Sequence, residues 1–521
     1  MEGATRGSYS SKPHPTRSET RLIMALKTRQ ERTSPAFSVR PRDANTIDAW
    51  SLETDVIIVG LGVAGGAAAI EAARAGAKTI VLERATRGGG ATALSEGTIY
   101  FGGGTRVQRA TGWEDTRELM QTHVRAAAGP TSDPEKVRLY CENSLDHFDF
   151  FCSLGVEFKD TYYDQKVIFP PTDDCLIFSG NEQAYPFSEQ SRPIPRGHKP
   201  QKEGSAGGYI IERMITTLSE LGVEIRNESR VTALIRNEEE RIIGVVAVSD
   251  GKEITIRATR GIILTTGGFI MNKEMVKHYA GDLAKCSYPI GSEGCDGSGI
   301  QMGMGVGGAA INMHEGLMTT PYFPPVSHIE GLIVGTSGQR VINEDCYHGR
   351  VADAIMHQAD GRAYLIVDDS IYGKTMVPYP LAAVEETIEE LESSLAMPRG
   401  NLVETFSAYN EAAATKSDPI FHKASKYVKP LLDPPYAALD LSVSSSLWAA
   451  FTLGGLDTQT TGEVRTEKGG IIEGLYAAGR ASAGLTRSGR YYASGMSIGG
   501  SSFFGRLAGR RAASASPRRD S

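Results

Sequence analysis

Residues 54–59 form an apolar, β-branched run of strand length. Glycines from Gly60 to Gly65 interrupt it. Residues 67–75 are alanine-rich with good helix propensity, and Gly76 ends them. Residues 78–83 read as a second strand, so the stretch predicts a βαβ unit, the crossover that parallel strands require. Helical periodicity follows over residues 116–127, 134–154 and 209–221. A β-rich block occupies residues 223–264, with turns at 237–240 and 250–251. The texture then changes between residues 284 and 445. That stretch holds Pro321-Tyr322-Phe323-Pro324-Pro325, a helical-looking 381–395 and further helix signals up to Ala414. Short strands and glycine turns return after it, and a final helix is expected over 497–513.

This alternation predicts an α/β chain with a discontinuous Rossmann-like nucleotide-binding domain and an inserted α+β substrate (cap) domain. The expected division is 51–283 and 446–513 for the nucleotide-binding domain and 284–445 for the substrate domain. Residues 1–50 are rich in Arg, Ser and Pro and lack the apolar core of a secretory signal. They are expected to be a disordered extension, and 514–521 a disordered tail.

Composition narrows the chemistry. A formal net charge of −7 gives no electrostatic reason for a nucleic-acid partner. No apolar run approaches the roughly 18 residues of a membrane span. The cysteines at 141, 152, 175, 286, 295 and 346 show no CxxC spacing. Neither a metal site nor a dithiol motif is therefore indicated, and a reducing, cytoplasmic setting is expected. The 59 glycines are spread through the chain, which suits many tight turns and close backbone approaches to a ligand.

Gly60-Leu61-Gly62-Val63-Ala64-Gly65 is a GxGxxG between a strand and a helix, and Glu83 ends the next strand. That context is the dinucleotide fingerprint. Gly60 makes the turn, Gly62 lets the main chain reach a pyrophosphate, and Gly65 permits close helix–strand packing. Glu83 is placed to accept hydrogen bonds from a ribose. The small-residue loop from Arg87 to Ser95 follows at once and can press a second main-chain stretch against the same pyrophosphate. The apolar run from Gly474 to Gly479 looks like a return strand for the far end of the cofactor. Both features favour FAD over NAD.

Taken in order, these motifs resemble the fumarate reductase/succinate dehydrogenase class of flavoproteins. Ile262–Phe269 and Phe451-Thr452-Leu453-Gly454-Gly455 extend the resemblance over residues 54–512. It implies cofactor contacts at Gly60, Gly62, Ala64, Gly65, Glu83 and Arg84. In the following loop it implies Gly90, Thr92, Ala93, Ser95 and Gly97. It adds Val231, Thr266, Gly267, Gly479, Gly495, Ser497 and Ile498.

The substrate end departs from the dicarboxylate reductases. Asn343-Glu344 leads to Tyr347 and His348, with no arginine before Arg350. Phe451 stands where the reductases have a histidine, and Tyr322 lies in the segment replacing another. Aromatic groups in place of cationic clamps suit a large, nearly neutral substrate, with Tyr322 and Phe451 expected to line its pocket. Asn-Glu followed by a tyrosine, and Tyr492-Ala493-Ser494-Gly495 before the last helix, are similar to the 3-ketosteroid dehydrogenases. Within that group the pattern is closer to the 3-oxo-5α-steroid 4-dehydrogenases. The resemblance implies Tyr492 as the base, Tyr347 as its relay, Ser494 near the reacting ketone, and hydride transfer to flavin N5. His348 is expected at the surface or behind the site. The expected partners are a small apolar ketone and an electron acceptor. A 3-ketosteroid 1-dehydrogenase, a fumarate- or urocanate-type reductase, and a flavin-binding redox sensor without turnover remain open alternatives.

Overall fold

Strand β1 (Leu52–Val59) carries apolar side chains on both of its faces. Val56 and Ile58 enter one core cluster, while Ile57 and Val59 enter the cluster on the opposite side of the sheet. A strand covered on both faces must be apolar throughout, which is why this run does not alternate with polar residues. Helix α1 (Val63–Arg74) leads to β2 (Thr79–Leu82), which pairs parallel with β1 from Val56↔Thr79 to Val59↔Leu82. The βαβ unit stands as expected, with the helix beginning earlier, directly behind Gly62.

The computed structural model describes residues 37–517. Residues 1–36 of the expected extension and 518–521 of the expected tail lie outside them. Helix α2 (Gly207–Glu220) covers α1. The β-rich block then resolves into β3 (Glu224–Arg226), β4 (Ser229–Arg236), β5 (Ile242–Ser249) and β6 (Lys252–Leu264). Strand order in the main sheet is β4-β5-β6-β1-β2-β3. The first half of β6 pairs antiparallel with β5, and β6 also runs parallel to β1 past an irregularity between Ala258 and Gly261.

Order begins before Thr54. Arg42–Asp43 pairs parallel with Ile235–Arg236 on the open edge of β4, and Val39 N donates to Gln301 O at 3.0 Å. Trp50 packs beside Ile235, Ile243 and Val246. The expectation of disorder up to residue 50 is thus corrected for residues 38–50. An uncovered sheet edge offers a row of free N–H and C=O groups, and this segment takes some of them up.

Inside residues 284–445, Leu332–Gly335, Ala363–Asp368, Tyr436–Asp440 and Leu381–Glu385 build a separate four-stranded antiparallel sheet. The section also holds β7 (Gly316–Thr319) and helix α3 (His348–Gln358). Strand β8 (Ala449–Thr452) pairs antiparallel with β7, Leu317 facing Phe451. Strand β9 (Ile471–Ala477) joins β6 in parallel, and α4 (Met496–Ser514) closes the fold. Helix α4 crosses α1 with little space between the main chains. A Cβ on Gly505 would stand 2.4 Å from Ala64 O, and one on Gly509 2.2 Å from Ala68 O. Arg506 and Arg510 both pair with Glu71 across this contact.

Two expected helices are corrected. Residues 134–154 form two helices, Pro134–Glu142 and Ser144–Ser153. Asn143 breaks them with φ −103° and ψ 13°, its side-chain amide turning back to Leu139 O at 2.8 Å. Residues 381–395 split into the strand Leu381–Glu385 and the helix Ile388–Ser394. The Thr387–Glu390 capping box starts that helix late. Among the described residues no helix is long and apolar enough to cross a membrane.

Candidate functional site

A cavity of about 340 Å3 opens where β1, β2, β6 and β9 end. The carboxyl ends of parallel strands are where open α/β sheets bind ligands. One end of the cavity is built from main chain. Gly60, Gly62 and Ala64 line it, and Gly60 turns with φ +99°, where a Cβ would stand 2.8 Å from Thr265 O. Gly62 precedes α1 and provides no side-chain cap. The helix therefore opens toward the cavity with its N–H groups and partial positive charge. Glu83 Oε2 accepts from Leu61 N at 2.8 Å and Oε1 from Ala85 N at 2.9 Å. Arg84 lines the cavity while paired with Asp296 at 2.6 Å.

Gly90, Thr92 and Ser95 form the facing loop, and Thr92 Oγ1 accepts from Val63 N at 3.2 Å. Val231, Thr266, Gly267 and Gly479 complete this end, and Thr266 Oγ1 is buried with no hydrogen-bond partner among the described residues. The N–H groups of the first turn behind Val63 and the absent Cβ atoms of Gly60 and Gly62 together fit a dinucleotide with its pyrophosphate at the helix end. Three expected contacts sit behind the wall instead. A Cβ on Gly65 would lie 2.0 Å from Gly60 O, so Gly65 sets helix–strand packing. Gly97 packs on Ala206, and Ala93 packs against the core beside α2.

The other end is built from side chains. Tyr347, Tyr492, Ser494 and Phe451 line it, with Gly495, Ser497 and Ile498 between the two ends. Tyr347 Oη and Ser494 Oγ are hydrogen-bonded at 2.9 Å. Tyr492 Oη accepts from Ser497 N at 3.2 Å, at the N-terminus of α4. The two phenol rings lie 6.2 Å apart, and the Phe451 ring is 5.5 Å from Tyr492. The segment 179–181 holds this group in register. Asn181 Oδ1 accepts from Tyr347 N at 2.9 Å, and Ser179 exchanges hydrogen bonds with the Ser494 main chain. Upstream of Tyr347, buried Glu344 pairs with Arg340 at 2.7 Å and Lys423 at 2.8 Å. Burial pushes the Glu344 carboxyl upward, but the two cations outweigh it and hold it below the usual range.

Tyr322 is corrected. It is fully buried outside the cavity, its hydroxyl donating to Glu344 O. Side chains alternate along extended backbone, so Thr319 and Pro321 face the cavity and Thr320 and Tyr322 face away. His348 is also corrected, since it lines the cavity and is buried. Arg350 lies instead over the Phe187 ring. Burial drives the Tyr492 phenol well above the usual value and Glu96 adds to it, opposed by the Ser497 N–H and by Arg480. Burial raises Tyr347 as well, and Tyr492, Glu96 and Glu182 add to it.

Sequence reasoning missed Glu96, Thr319, Cys295 and Arg480, all of which line the cavity. Arg480 lies 5.1 Å from the Phe451 ring centre. Its position directly after Gly479 in the return-strand motif was the available signal. Glu96, next to the cofactor loop, is pushed up by burial. Nothing local marked Thr319, which reaches the site through the β7–β8 pairing.

Comparison with known proteins bears on this geometry. A family model described as FAD binding domain matches residues 55–496. A 3-oxo-5-alpha-steroid 4-dehydrogenase of Comamonas testosteroni is 25% identical over 494 residues, covering 82% of this chain and 93% of that protein. A probable fumarate reductase, Ifc3, of Shewanella frigidimarina is 27% identical over 474 residues, covering 88% and 75%. The crystal structure of 3-ketosteroid-delta4-(5alpha)-dehydrogenase from Rhodococcus jostii RHA1 in complex with 4-androstene-3,17-dione superposes with a TM-score of 0.87. It is 41% identical and covers 91% of this chain and 100% of that one.

Proposed function

This chain belongs to the FAD binding domain family and is a FAD-dependent oxidoreductase, and on that premise we propose that it desaturates a 3-ketosteroid between carbons 4 and 5. The observation that carries this reading is the hydroxyl group of three, Tyr347, Ser494 and Tyr492, gathered at one end of a cofactor-sized cleft. The similar Rhodococcus protein, which holds 4-androstene-3,17-dione, supports the substrate class.

Bound FAD supplies the acceptor for the hydride leaving carbon 5. The protein must supply the rest: a base for the proton on carbon 4 and a place for negative charge next to the ketone. Tyr492 is the base. Its oxygen receives the Ser497 N–H at the positive end of α4, with Arg480 nearby, and both favour negative charge there. Tyr347 and Ser494, bonded to one another, pass the proton onward. A ketone with Phe451 and Leu317 beside it meets an apolar wall suited to ring carbon.

One observation favours a second division of labour. Tyr347 and Ser494 already form a proton-passing pair, whereas the Tyr492 oxygen is tied to a main-chain N–H. In that reading Tyr347 takes the proton and Tyr492 binds the ketone oxygen. The carbonyl stretch of a bound enone separates the two. A Tyr492 bond to the ketone gives a red-shift that Tyr492→Phe removes and Tyr347→Phe keeps.

The reaction itself is tested by incubating the holoenzyme with a 5α-3-ketosteroid and an artificial electron acceptor, then locating the new double bond. A 4-ene product supports the proposal, and a 1-ene product moves the chain to the 1-dehydrogenases. Reduction of fumarate or urocanate without steroid turnover overturns it. A flavin that no ketone bleaches under anaerobic conditions marks a binding protein without turnover.

A further inference from the structure

Among the described residues the acidic side chains lining the cavity are Glu83 and Glu96. Main-chain N–H groups of Leu61 and Ala85 occupy both oxygens of Glu83. Glu96 is different. Its carboxylate receives its own main-chain N–H, and no cation among the described residues pairs with it. Glu96 is only half-buried, yet desolvation pushes its carboxyl up. A group that is uncovered and desolvated at once opens onto an enclosed space and not onto bulk water. That space is the cleft.

Glu96 stands where the two ends of the cleft meet. Ser95 before it belongs to the cofactor loop. Thr98 after it packs on Gly495, where a Cβ would come 3.2 Å from Thr98 Cγ2. Tyr100 N donates to Gly495 O at 3.2 Å, so this segment runs beside the residue that joins Ser494 to α4. The charge of Glu96 raises both Tyr492 and Tyr347, which places it within electrostatic reach of each phenol. A cofactor that starts at Gly60 and passes a hydride at the phenols has to pass Glu96.

Reduction by a hydride adds one negative charge to FAD, and charge beside a flavin tunes its electronics. Like charges repel far more strongly in a water-poor cleft than in water. An acid beside a newly formed negative charge responds by binding a proton. The cations around the cleft are committed elsewhere. Arg84 pairs with Asp296 at 2.6 Å, Arg480 lies 5.1 Å from the Phe451 ring centre and 3.7 Å from Cys295 Sγ, and Arg230 is exposed. His348 is held down to about 3 by burial, so its ring is neutral near pH 7. Both phenols are held protonated. Behind the loop, Ala206 N donates to Glu96 O at 2.9 Å, and the nearby Lys202 and Glu203 are exposed and screened by solvent.

We propose that Glu96 takes up a proton when bound FAD is reduced, so that the negative charge gained by the flavin is balanced by the charge lost at this carboxylate. A hydride converts FAD to its reduced anion, and one proton converts the carboxylate to the acid. In the ketone reaction both come from the substrate, the proton through the phenols, and the net charge of the site does not change. The proposal rests on FAD binding and not on the choice of steroid.

The test is a potentiometric titration of the FAD holoenzyme with dithionite from about pH 5 to pH 9, a range that starts just above the ordinary carboxyl value. With one additional proton bound per two electrons, each tenfold change in proton concentration shifts the midpoint by a further 30 mV or so, about 30 mV per pH unit. Wild type should show this steeper fall over part of the range, and Glu96→Gln should not. The two lines meet at the acid end, where Glu96 is protonated in either flavin state, and separate as pH rises, with wild type lower. The reduced-minus-oxidised infrared spectrum of wild type should gain a protonated-carboxyl C=O band that Glu96→Gln lacks and Glu96→Asp restores. FAD content confirms that each variant is folded. Equal slopes in wild type and Glu96→Gln, or a carboxyl band that persists in Glu96→Gln, overturn the proposal. Dithionite needs no ketone, so either result leaves the steroid reading to its own test.

Discussion

At the end of the cleft formed by Gly60, Gly62 and the start of α1, the wall is main chain. At the end formed by Tyr347, Tyr492, Ser494 and His348 it is side chain. The first end is assembled around one continuous motif, residues 60–65, with its partner Glu83 just past the next strand. The second draws on β7, α3, β8 and the loop before α4, which are far apart in sequence. Main chain recognises what every member of a cofactor family shares. Side chains recognise what differs among substrates, and they also hold the ionisable groups. The two ends should therefore fail in different ways.

The largest effect is expected at the main-chain end. Gly65→Val places carbon against Gly60 O, where even a Cβ would stand at 2.0 Å. The FAD turn must open, and the purified protein should lack the flavin absorbance altogether. Full FAD occupancy in this variant would show that the turn is not the holding element.

At the side-chain end, Tyr347→Phe should leave FAD bound and lower turnover by about 10²–10⁴-fold, the range for loss of a positioned acid–base group. The pH profile sharpens the contrast. Burial holds both phenols above their ordinary range, so the deprotonated form grows as pH rises. Turnover of wild type should climb from pH 7 toward pH 10, while FAD content stays flat. A turnover profile that falls over that interval would remove the phenolate from the mechanism.

The smallest effect concerns stability. His123 is buried, stacks with Tyr100 near the phenol end, and is pushed by burial down to about 3. Between the unfolded value of about 6.5 and about 3, the unfolded chain binds a proton that the folded one does not. Stability from this group is present above pH 6.5 and is lost as the pH falls through that window. His123→Phe should make the acid limb of the unfolding midpoint shallower. An unchanged acid limb would assign that sensitivity to other groups.

The same division explains what could be read from the sequence. The βαβ unit, the β-rich block and the last helix follow from local apolar periodicity, and the glycine fingerprint follows from contiguous residues. Tyr347, Tyr492 and Ser494 were reachable through resemblance, and they meet in space. Tyr322 was misplaced because the face of an extended segment depends on register, which β7 and β8 set only in the folded chain. His348 was misplaced because its burial depends on Thr319, another part of the same pairing. The strand at 381–385 was hidden because its partner, Tyr436–Asp440, lies far along the chain.

The central claim is that Tyr492, set at the N-terminus of α4, accepts the proton whose removal lets a hydride leave for FAD. Anaerobic stopped-flow mixing of a 5α-3-ketosteroid with wild type and with Tyr492→Phe, both carrying full FAD, tests it most directly. The account predicts rapid bleaching of the oxidised flavin in wild type and a flavin that stays oxidised in the variant over the same time. Bleaching of Tyr492→Phe at the wild-type rate would contradict it.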